Sequence, residues 1–347
     1  MPALAIAEAI RRRHPAWRVM LVGATRGVEA SLLQTRTFPY ELLPAEPIYR
    51  RQWWKNFRWP VVGLRLLRAV DRLLDRKRPA LVIGTGGYAS GPVVWRAAGR
   101  GIPTAIQEQN AYPGLSTRLL ARRVREIWLG VPEAERHLRP GPRTAVFDTG
   151  NPIVPPDPSR RSAALTRLGL DPGKPVILVT GGSQGALAIN QAVADWLESG
   201  GGKRVQVVWA AGKATFQQFR SLHQPPQVQV FDFIDPMADA YAVATLAISR
   251  AGMMTIAELC AWGVPSVLIP LPTAAADHQT PNARVMAESG AALSLPQSGL
   301  TGNRLATIIA DLLHTPGELD QMARAARARA RPDAAERILD RIGFLSG

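Results

Sequence analysis

The chain has 347 residues, 46% of them hydrophobic, enough for about two ordinary globular cores and without a run of disordered composition. Its 42 lysines and arginines against 27 acidic residues give a formal charge of +15, so an anionic partner is expected: a phosphate-bearing substrate, an acidic lipid surface or a nucleic acid. The single cysteine, Cys260, excludes an internal disulfide framework and reads as core on an apolar helical face, and even the apolar stretch 61–74 is broken by Arg65, Arg68 and Asp71, which excludes a membrane-spanning helix there.

From the amino terminus, residues 3–13 read as a helix with no basic segment ahead of its apolar residues, unlike a secretory leader, so the expected address is the cytoplasm. A doubly wound domain normally begins with a central strand and the turn feeding its first helix, and here no strand precedes that helix. A strand is expected at 18–22. Residues 49–59 then pack four basic and five aromatic side chains together, including Trp53, Trp54, Lys55, Phe57, Arg58 and Trp59. Such a segment suits an anionic membrane surface, a core-packing helix with a basic rim, or a single-stranded nucleic acid.

A helix at 61–75 and a strand at 80–83 follow, the strand running into the glycine turn 84–91, which carries Tyr88. Another strand at 104–107 precedes the polar loop 108–114, with Glu108 and Asn110, and a helix at 115–123. The proline-rich stretch 151–159 reads as a linker. Beyond it, strands are expected at 176–180, 205–209, 246–249 and 266–269, helices at 186–197, 254–262 and 282–289, and a closing amphipathic helix from 332 onward. Alternation of this kind argues for parallel α/β sheets with crossover helices, whose ligands bind at the carboxyl ends of the strands.

Three segments of the second half could do chemistry. Val179-Thr-Gly-Gly-Ser-Gln-Gly-Ala follows a strand and enters a helix, but has neither the spacing of a nucleoside-triphosphate loop nor that of a dinucleotide fingerprint. Its glycines let an anion approach free N–H groups at a positive helix end, with Ser183 as a hydroxyl donor; a tight turn without ligand would read the same. Ser249–Cys260 offers a second such helix end at Gly252, with Thr255 in its first turn and Glu258 three residues on, placed either to accept ribose hydroxyls or merely to complement the helix dipole. In 277–282, Asp277 is a cap, Gln279 is a two-ended hydrogen-bonder suited to sugar hydroxyls, and His278 is either a base or an exposed loop residue.

Eight stretches, "GTGGYASGP" (84–92), "EQNAYPG" (108–114), "GNP" (150–152), "GGSQGALAIN" (181–190), "FIDPMADAYA" (233–242), "SRAGMMTIAEL" (249–259), "DHQTPNA" (277–283) and "PDAAERI" (332–338), resemble in order and spacing the MurG family of bacterial transferases. These add N-acetylglucosamine to the undecaprenyl-pyrophosphoryl muramyl-pentapeptide precursor of peptidoglycan. The resemblance covers nearly the whole chain. It implies an α/β protein of GT-B fold, with two doubly wound Rossmann-like domains facing a cleft and the first lacking its first strand. Residues 1–152 would form an acceptor-binding, membrane-associating domain, 153–331 a UDP-N-acetylglucosamine-binding domain and 332–347 a closing helix. Transfer would invert the anomer, with no metal and no cofactor, and no Asp-x-Asp pair stands ready to chelate one.

Carried over by position, the resemblance puts Ser183 on the phosphates, the main chain of Ile234 on uracil, and Met253, Met254, Thr255, Ile256, Ala257 and Glu258 around the nucleotide. Thr255 would meet the diphosphate, Glu258 the ribose and Gln279 the sugar, while Asn110 would reach over from the first domain. Gln184, Arg250, Tyr88 and Glu108 are further candidates. The implied partners are UDP-N-acetylglucosamine, the undecaprenyl-linked muramyl-pentapeptide and an anionic membrane surface, with no nucleic acid, and the implied place is the cytoplasmic face of the inner membrane, peripherally bound. Two departures stand out. The family's Gly-x-Gly-Gly-His loop, whose histidine is often regarded as the general base, would lie just ahead of Met1, so no catalytic residue is assigned and an internal start is expected. Val154 replaces a usual arginine, for which Arg160 or Arg161 is the stand-in. A related lipid glycosyltransferase using another acceptor such as diacylglycerol, and a non-catalytic sugar-nucleotide-binding protein, are the competing readings.

Overall fold

A computed structural model describes residues 2–26, 33, 37–46, 59–182, 185–272 and 277–346. It divides into two compact units, residues 1–153 with 333–347, and residues 154–332. The aromatic and basic candidates Trp53, Trp54, Lys55, Phe57 and Arg58 lie outside the described residues, as do Ser183 and Gln184.

In chain order the first unit contains α1 (Pro2–Arg13), β1 (Leu21–Ala24), β2 (Tyr40–Leu43), α2 (Trp59–Lys77), β3 (Val82–Gly84), α3 (Ser90–Gly99), β4 (Thr104–Glu108), α4 (Leu115–Leu120), β5 (Glu126–Leu129) and β6 (Ala145–Asp148). The second contains α5 (Arg160–Arg167), β7 (Val176–Thr180), α6 (Leu187–Glu198), β8 (Gln206–Ala210), the single turn α7 (Phe216–Phe219), β9 (Val228–Phe231), α8 (Met237–Val243), β10 (Leu246–Arg250), α9 (Met253–Trp262), β11 (Ser266–Ile269), α10 (Gln279–Glu288), β12 (Ala292–Ser294), α11 (Gly302–His314) and α12 (Glu318–Arg329). The last helix, α13 (Ala334–Ser346), belongs to the first unit.

In the first unit the strands are parallel and form a pair, β1–β2, and a four-stranded sheet in the order β3-β4-β5-β6. The same helices cover both sheets. Leu66, Val70 and Leu73 of α2 with Val93 of α3 pack on Ala24 and Leu43 of the pair and on Val82 of the larger sheet. On another layer, α1 and α13 interleave Ile6, Ala9 and Ile10 with Ile338, Leu339 and Ile342 over Ala105 and Trp128. An ion pair on a buried carboxylate fixes α13: the Glu126 carboxylate accepts from the Trp128 indole N–H at 2.7 Å and from Nε of half-buried Arg341 at 3.1 Å. The first described element is α1, and β1 begins three residues later than the periodicity predicts, because its ladder starts opposite Tyr40.

The second unit holds one six-stranded parallel sheet in the order β12-β11-β10-β7-β8-β9. Numbered from β7, that is the 3-2-1-4-5-6 arrangement of a doubly wound fold, and its connections reverse direction between β7 and β10. β7 and β8 are buried along their whole length, as expected of strands covered on both faces, which is why 176–180 reads as an unbroken β-branched and aliphatic run. One side of the sheet packs Ile189 and Val193 of α6 with Leu305 and Ile309 of α11; the other packs Ala240 and Val243 of α8 with Leu259 of α9.

Candidate functional site

The reversal between β7 and β10 brings two strand ends side by side, with Ser249 paired to Thr180. Beyond each end the chain passes through glycine into a helix, so α6 and α9 begin beside one another at a cavity of about 800 Å³. Thr180, Gly181, Gly182 and Gly185 line one wall, Arg250, Gly252 and Thr255 the next, and Leu271, Gln279 and Gln297 a third. Neither helix has a side-chain cap among the described residues; Ala186 and Gly252 occupy the capping positions. Two sets of amino-terminal N–H groups therefore converge on this cavity with their positive dipole ends, an arrangement suited to an anion.

The backbone needs glycine here. Gly185 has φ +78°, and a Cβ built on it would run into the Ala211 carbonyl oxygen, while one on Gly181 would collide with the backbone of Ala186. That Ala211 carbonyl is itself pinned: it accepts from Nδ2 of Asn190 at 2.7 Å and from Thr215 Oγ1 at 2.7 Å, and Asn190 Oδ1 accepts from the Trp209 indole N–H at 2.9 Å. Asn190 is thus a fully buried strut behind the glycine turn. Asn282, also fully buried, does the same on the other side, donating to Ala251 O at 3.1 Å and tying α10 to the start of α9. Neither asparagine was assigned a role from the sequence. The signal was available: an amide on the apolar face of a helix, amid buried neighbours, implies an internal hydrogen-bond partner.

Arg250 closes the floor. Its Nη1 donates to Ile269 O at 3.2 Å and Pro270 O at 3.3 Å, and burial lowers its pKa from the usual arginine value. No carboxylate pairs with it among the described residues, so its charge is neutralised only by carbonyl dipoles and faces the same cavity as the two helix ends. The Gln279 Oε1 accepts from the Leu271 N–H at 3.0 Å, which fixes the orientation of the amide at the cavity wall.

Of the remaining sequence-derived candidates, Thr255 lines the cavity and sits in the first turn of α9, half-buried. Met254, Ala257 and Glu258 are half-buried on the same helix, and Met253 and Ile256 are buried in it. The Ile234 side chain is in the core with Leu259 and Tyr241, which leaves its main chain as the part able to meet a ligand. Glu258 accepts from the Tyr241 hydroxyl at 2.8 Å; burial raises its pKa, and that hydrogen bond opposes the rise.

In the first unit, Tyr88 is exposed in the glycine turn before α3. Glu108 organises its own loop. Its Oε1 accepts from the Asn110 N–H at 3.0 Å and side chain at 3.2 Å, and its Oε2 from the Gly114 N–H at 3.0 Å and the Thr117 hydroxyl at 2.6 Å. Asn110 is held in place by these bonds.

Other expectations need correction. His278 is half-buried rather than exposed, at the capping position of α10, and its Nδ1 is buried with no hydrogen-bond partner among the described residues. Asp277, with φ +52°, accepts from the Thr280 hydroxyl at 2.7 Å instead of capping backbone N–H groups. Arg160 pairs with Asp239 at 3.0 Å, and Arg161 donates to Ala242 O at 2.8 Å, which binds both arginines to α8 and away from the cavity. Cys260, by contrast, is the core residue expected of it: it is buried, and burial pushes its thiol up to about 12.

Comparison with known proteins settles which family carries this geometry. Residues 1–129 match the glycosyltransferase family 28 N-terminal domain, and residues 176–338 match the family 28 C-terminal domain. A Porphyromonas gingivalis protein named UDP-N-acetylglucosamine–N-acetylmuramyl-(pentapeptide) pyrophosphoryl-undecaprenol N-acetylglucosamine transferase is 38% identical across 98% of this chain and 91% of its own length. A protein of the same name from Halalkalibacterium halodurans is 37% identical across 97% and 93%. The chain belongs to this glycosyltransferase family.

Membership covers both units, and the fold is GT-B. The crystal structure of Acinetobacter baumannii MurG superposes with a TM-score of 0.78 at 28% identity, covering 99% of this chain and 95% of that one. The calicheamicin glycosyltransferase CalG4, at 18% identity and a TM-score of 0.71, with 99% and 94% covered, shares the fold.

Proposed function

We propose that the protein transfers N-acetylglucosamine from UDP-N-acetylglucosamine to the 4-hydroxyl of the muramyl sugar in undecaprenyl-pyrophosphoryl-N-acetylmuramyl-pentapeptide, with inversion at the anomeric carbon. The observation that carries the donor half is the convergence of the uncapped starts of α6 and α9 with Arg250 and Thr255 on one cavity at the switch point of the second unit. Family membership carries the acceptor half.

In this reading the diphosphate lies across the two helix ends, with Ser183 and Thr255 supplying hydroxyl donors and Arg250 charge. The main chain of Ile234 meets uracil, Met253–Glu258 wrap the nucleotide, Glu258 takes the ribose hydroxyls, and the NH₂ of Gln279 donates to an oxygen of the sugar. The acceptor hydroxyl gives up its proton to solvent as its oxygen attacks the anomeric carbon, the bond from that carbon to the diphosphate oxygen breaks, and UDP leaves with the electron pair. The helix ends and Arg250 stabilise charge that grows on the diphosphate only as that bond breaks, so they favour the transition state over the bound substrate. The first unit, with Asn110 and Tyr88, is assigned to the acceptor.

The acceptor's long polyprenyl chain requires a membrane surface, and we assign the protein to the cytoplasmic face of the inner membrane as a peripheral component. Exposed Val61 and Leu64 on α2, next to exposed Arg65 and Arg68, support this, alongside the aromatic and basic segment 49–59. No helix among the described residues is long and apolar enough to cross a membrane.

The test is direct. Purified protein is expected to bind UDP-N-acetylglucosamine in calorimetry and to move the sugar onto the muramyl lipid in detergent or vesicles. Replacing Thr255, Glu258 and Gln279 together should abolish donor binding. Donor affinity that is absent, or indifferent to that triple replacement, would overturn the assignment; turnover of diacylglycerol in place of the muramyl lipid would overturn its acceptor half.

A further inference from the structure

Glu258 lies on α9 one turn beyond Thr255, and its two carboxylate oxygens are not equivalent. Oε2 accepts from the Tyr241 hydroxyl at 2.8 Å, and Oε1 has no hydrogen-bond partner among the described residues. Tyr241 comes from a different element, α8, and only 5% of it is exposed; its ring is embedded with Leu178, Val208, Ile234 and Leu259 in the core under the sheet. A phenol gripped in this way has one orientation, and it holds a half-buried carboxylate that would otherwise rotate freely about its last torsion.

The direction of the proton is fixed as well. Burial first, and the Glu258 charge second, raise the Tyr241 pKa well above the ordinary tyrosine value, so the phenol is the donor at any physiological pH. Glu258, raised by burial, is drawn back toward its charged form by that same hydrogen bond. The carboxylate thus has one satisfied oxygen and one with no hydrogen-bond partner among the described residues, and an anionic acceptor of this kind complements a donor hydroxyl and not a phosphate.

We propose that Tyr241 is a positioning residue for the nucleotide pocket: its hydroxyl locks Glu258 so that Oε1 is presented to the vicinal diol of the donor's ribose, which makes the Tyr241–Glu258 pair the determinant of ribose against deoxyribose. The inference rests on the reading of Glu258 as the ribose acceptor, and it adds a residue that itself never touches the ligand.

The probes are UDP and 2′,3′-dideoxy-UDP, titrated calorimetrically into the full chain, into Tyr241→Phe, into Glu258→Gln and into the double variant. The wild type should prefer UDP, and Glu258→Gln should abolish that preference. Tyr241→Phe keeps the ring in the core while removing the hydroxyl; it should weaken UDP binding about tenfold, as expected for the loss of a hydrogen bond to a charged group, and leave the dideoxy analogue unchanged. The double variant should be no worse than Glu258→Gln alone. In Tyr241→Phe the acidic fall-off of UDP binding should also move to higher pH, since the hydrogen bond that favoured ionised Glu258 is gone.

If Glu258→Gln leaves the preference for UDP intact, the ribose reading of Glu258 fails, and the inference with it. If Glu258→Gln abolishes the preference and Tyr241→Phe retains it in full, with an unmoved pH profile and only a lowered melting temperature, the pair merely joins α8 to α9 and the positioning role alone is refuted.

Discussion

Replacing Asn190 by alanine separates the strut from the turn it supports. Three groups lose a partner, but not equally. The Trp209 indole N–H, fully buried, has Asn190 Oδ1 as its acceptor at 2.9 Å, and leaving such a donor unpaired costs about 1–3 kcal/mol. The Ala211 carbonyl and the Thr215 hydroxyl, by contrast, retain their own hydrogen bond at 2.7 Å when Nδ2 is removed, so their loss adds only about 0.5–1.5 kcal/mol. The total is roughly 2–4 kcal/mol of destabilisation of the second unit. Urea denaturation reads it on the transition that UDP shifts upward, which marks the nucleotide-binding unit by linkage. Because most of the loss resides in the indole N–H, the cycle with Trp209→Phe should show a coupling of about 1–2 kcal/mol, the asparagine substitution being milder once that N–H is gone. Coupling below about 0.5 kcal/mol, the ordinary error of additivity, would refute the idea that the indole–amide bond holds the turn.

Gly185→Ala should weaken UDP binding by at least about tenfold, because the added methyl meets the Ala211 carbonyl at a positive φ and the turn must shift; calorimetry on a variant with a retained circular dichroism spectrum checks it. Glu258 supplies a pH prediction with a definite sign. Its folded pKa lies above the ordinary 4.5, so folding favours its protonated form, the ionised group destabilises the fold above that raised value, and the cost is relieved as pH falls through it. UDP affinity needs the ionised form and should therefore decline as the solution is acidified through the raised pKa, whereas Glu258→Gln should bind weakly with no such slope and be more stable than wild type at neutral pH; titrations and melts across acidic to neutral buffers decide this. In the first unit, Arg341→Met should destabilise by about 3–5 kcal/mol, since it strands the buried Glu126 carboxylate with only the Trp128 indole N–H, and the simultaneous change Glu126→Gln should recover much of that loss in the same denaturation assay.

The local pattern was sufficient for much of this protein. The runs at 176–180 and 266–269 match β7 and β11 residue for residue, because strands covered on both faces are continuous apolar runs whatever their neighbours. The glycine turn after β7 was legible for a similar reason: Gly182 and Gly185 take positive φ that favours glycine, and after both β7 and β10 a helix start without a side-chain cap follows directly from the residues present. The order and spacing of eight stretches, these two turns among them, sufficed for the resemblance to the family. The strands β5, β6, β9 and β12 are not marked by the local pattern.

What only tertiary structure decided is which pieces meet. That β7 lies against β10, and so makes a cavity of two separate glycine turns, depends on a ladder between residues almost seventy positions apart that no local pattern encodes. Side chains with several hydrogen-bonding options were settled the same way: Glu108 went to its own loop, Arg160 to Asp239, the Gln279 oxygen to Leu271, and one oxygen of Glu258 to Tyr241. A sequence states how many donors and acceptors a residue carries, but burial and the approach of distant backbone determine which of them remain for a ligand.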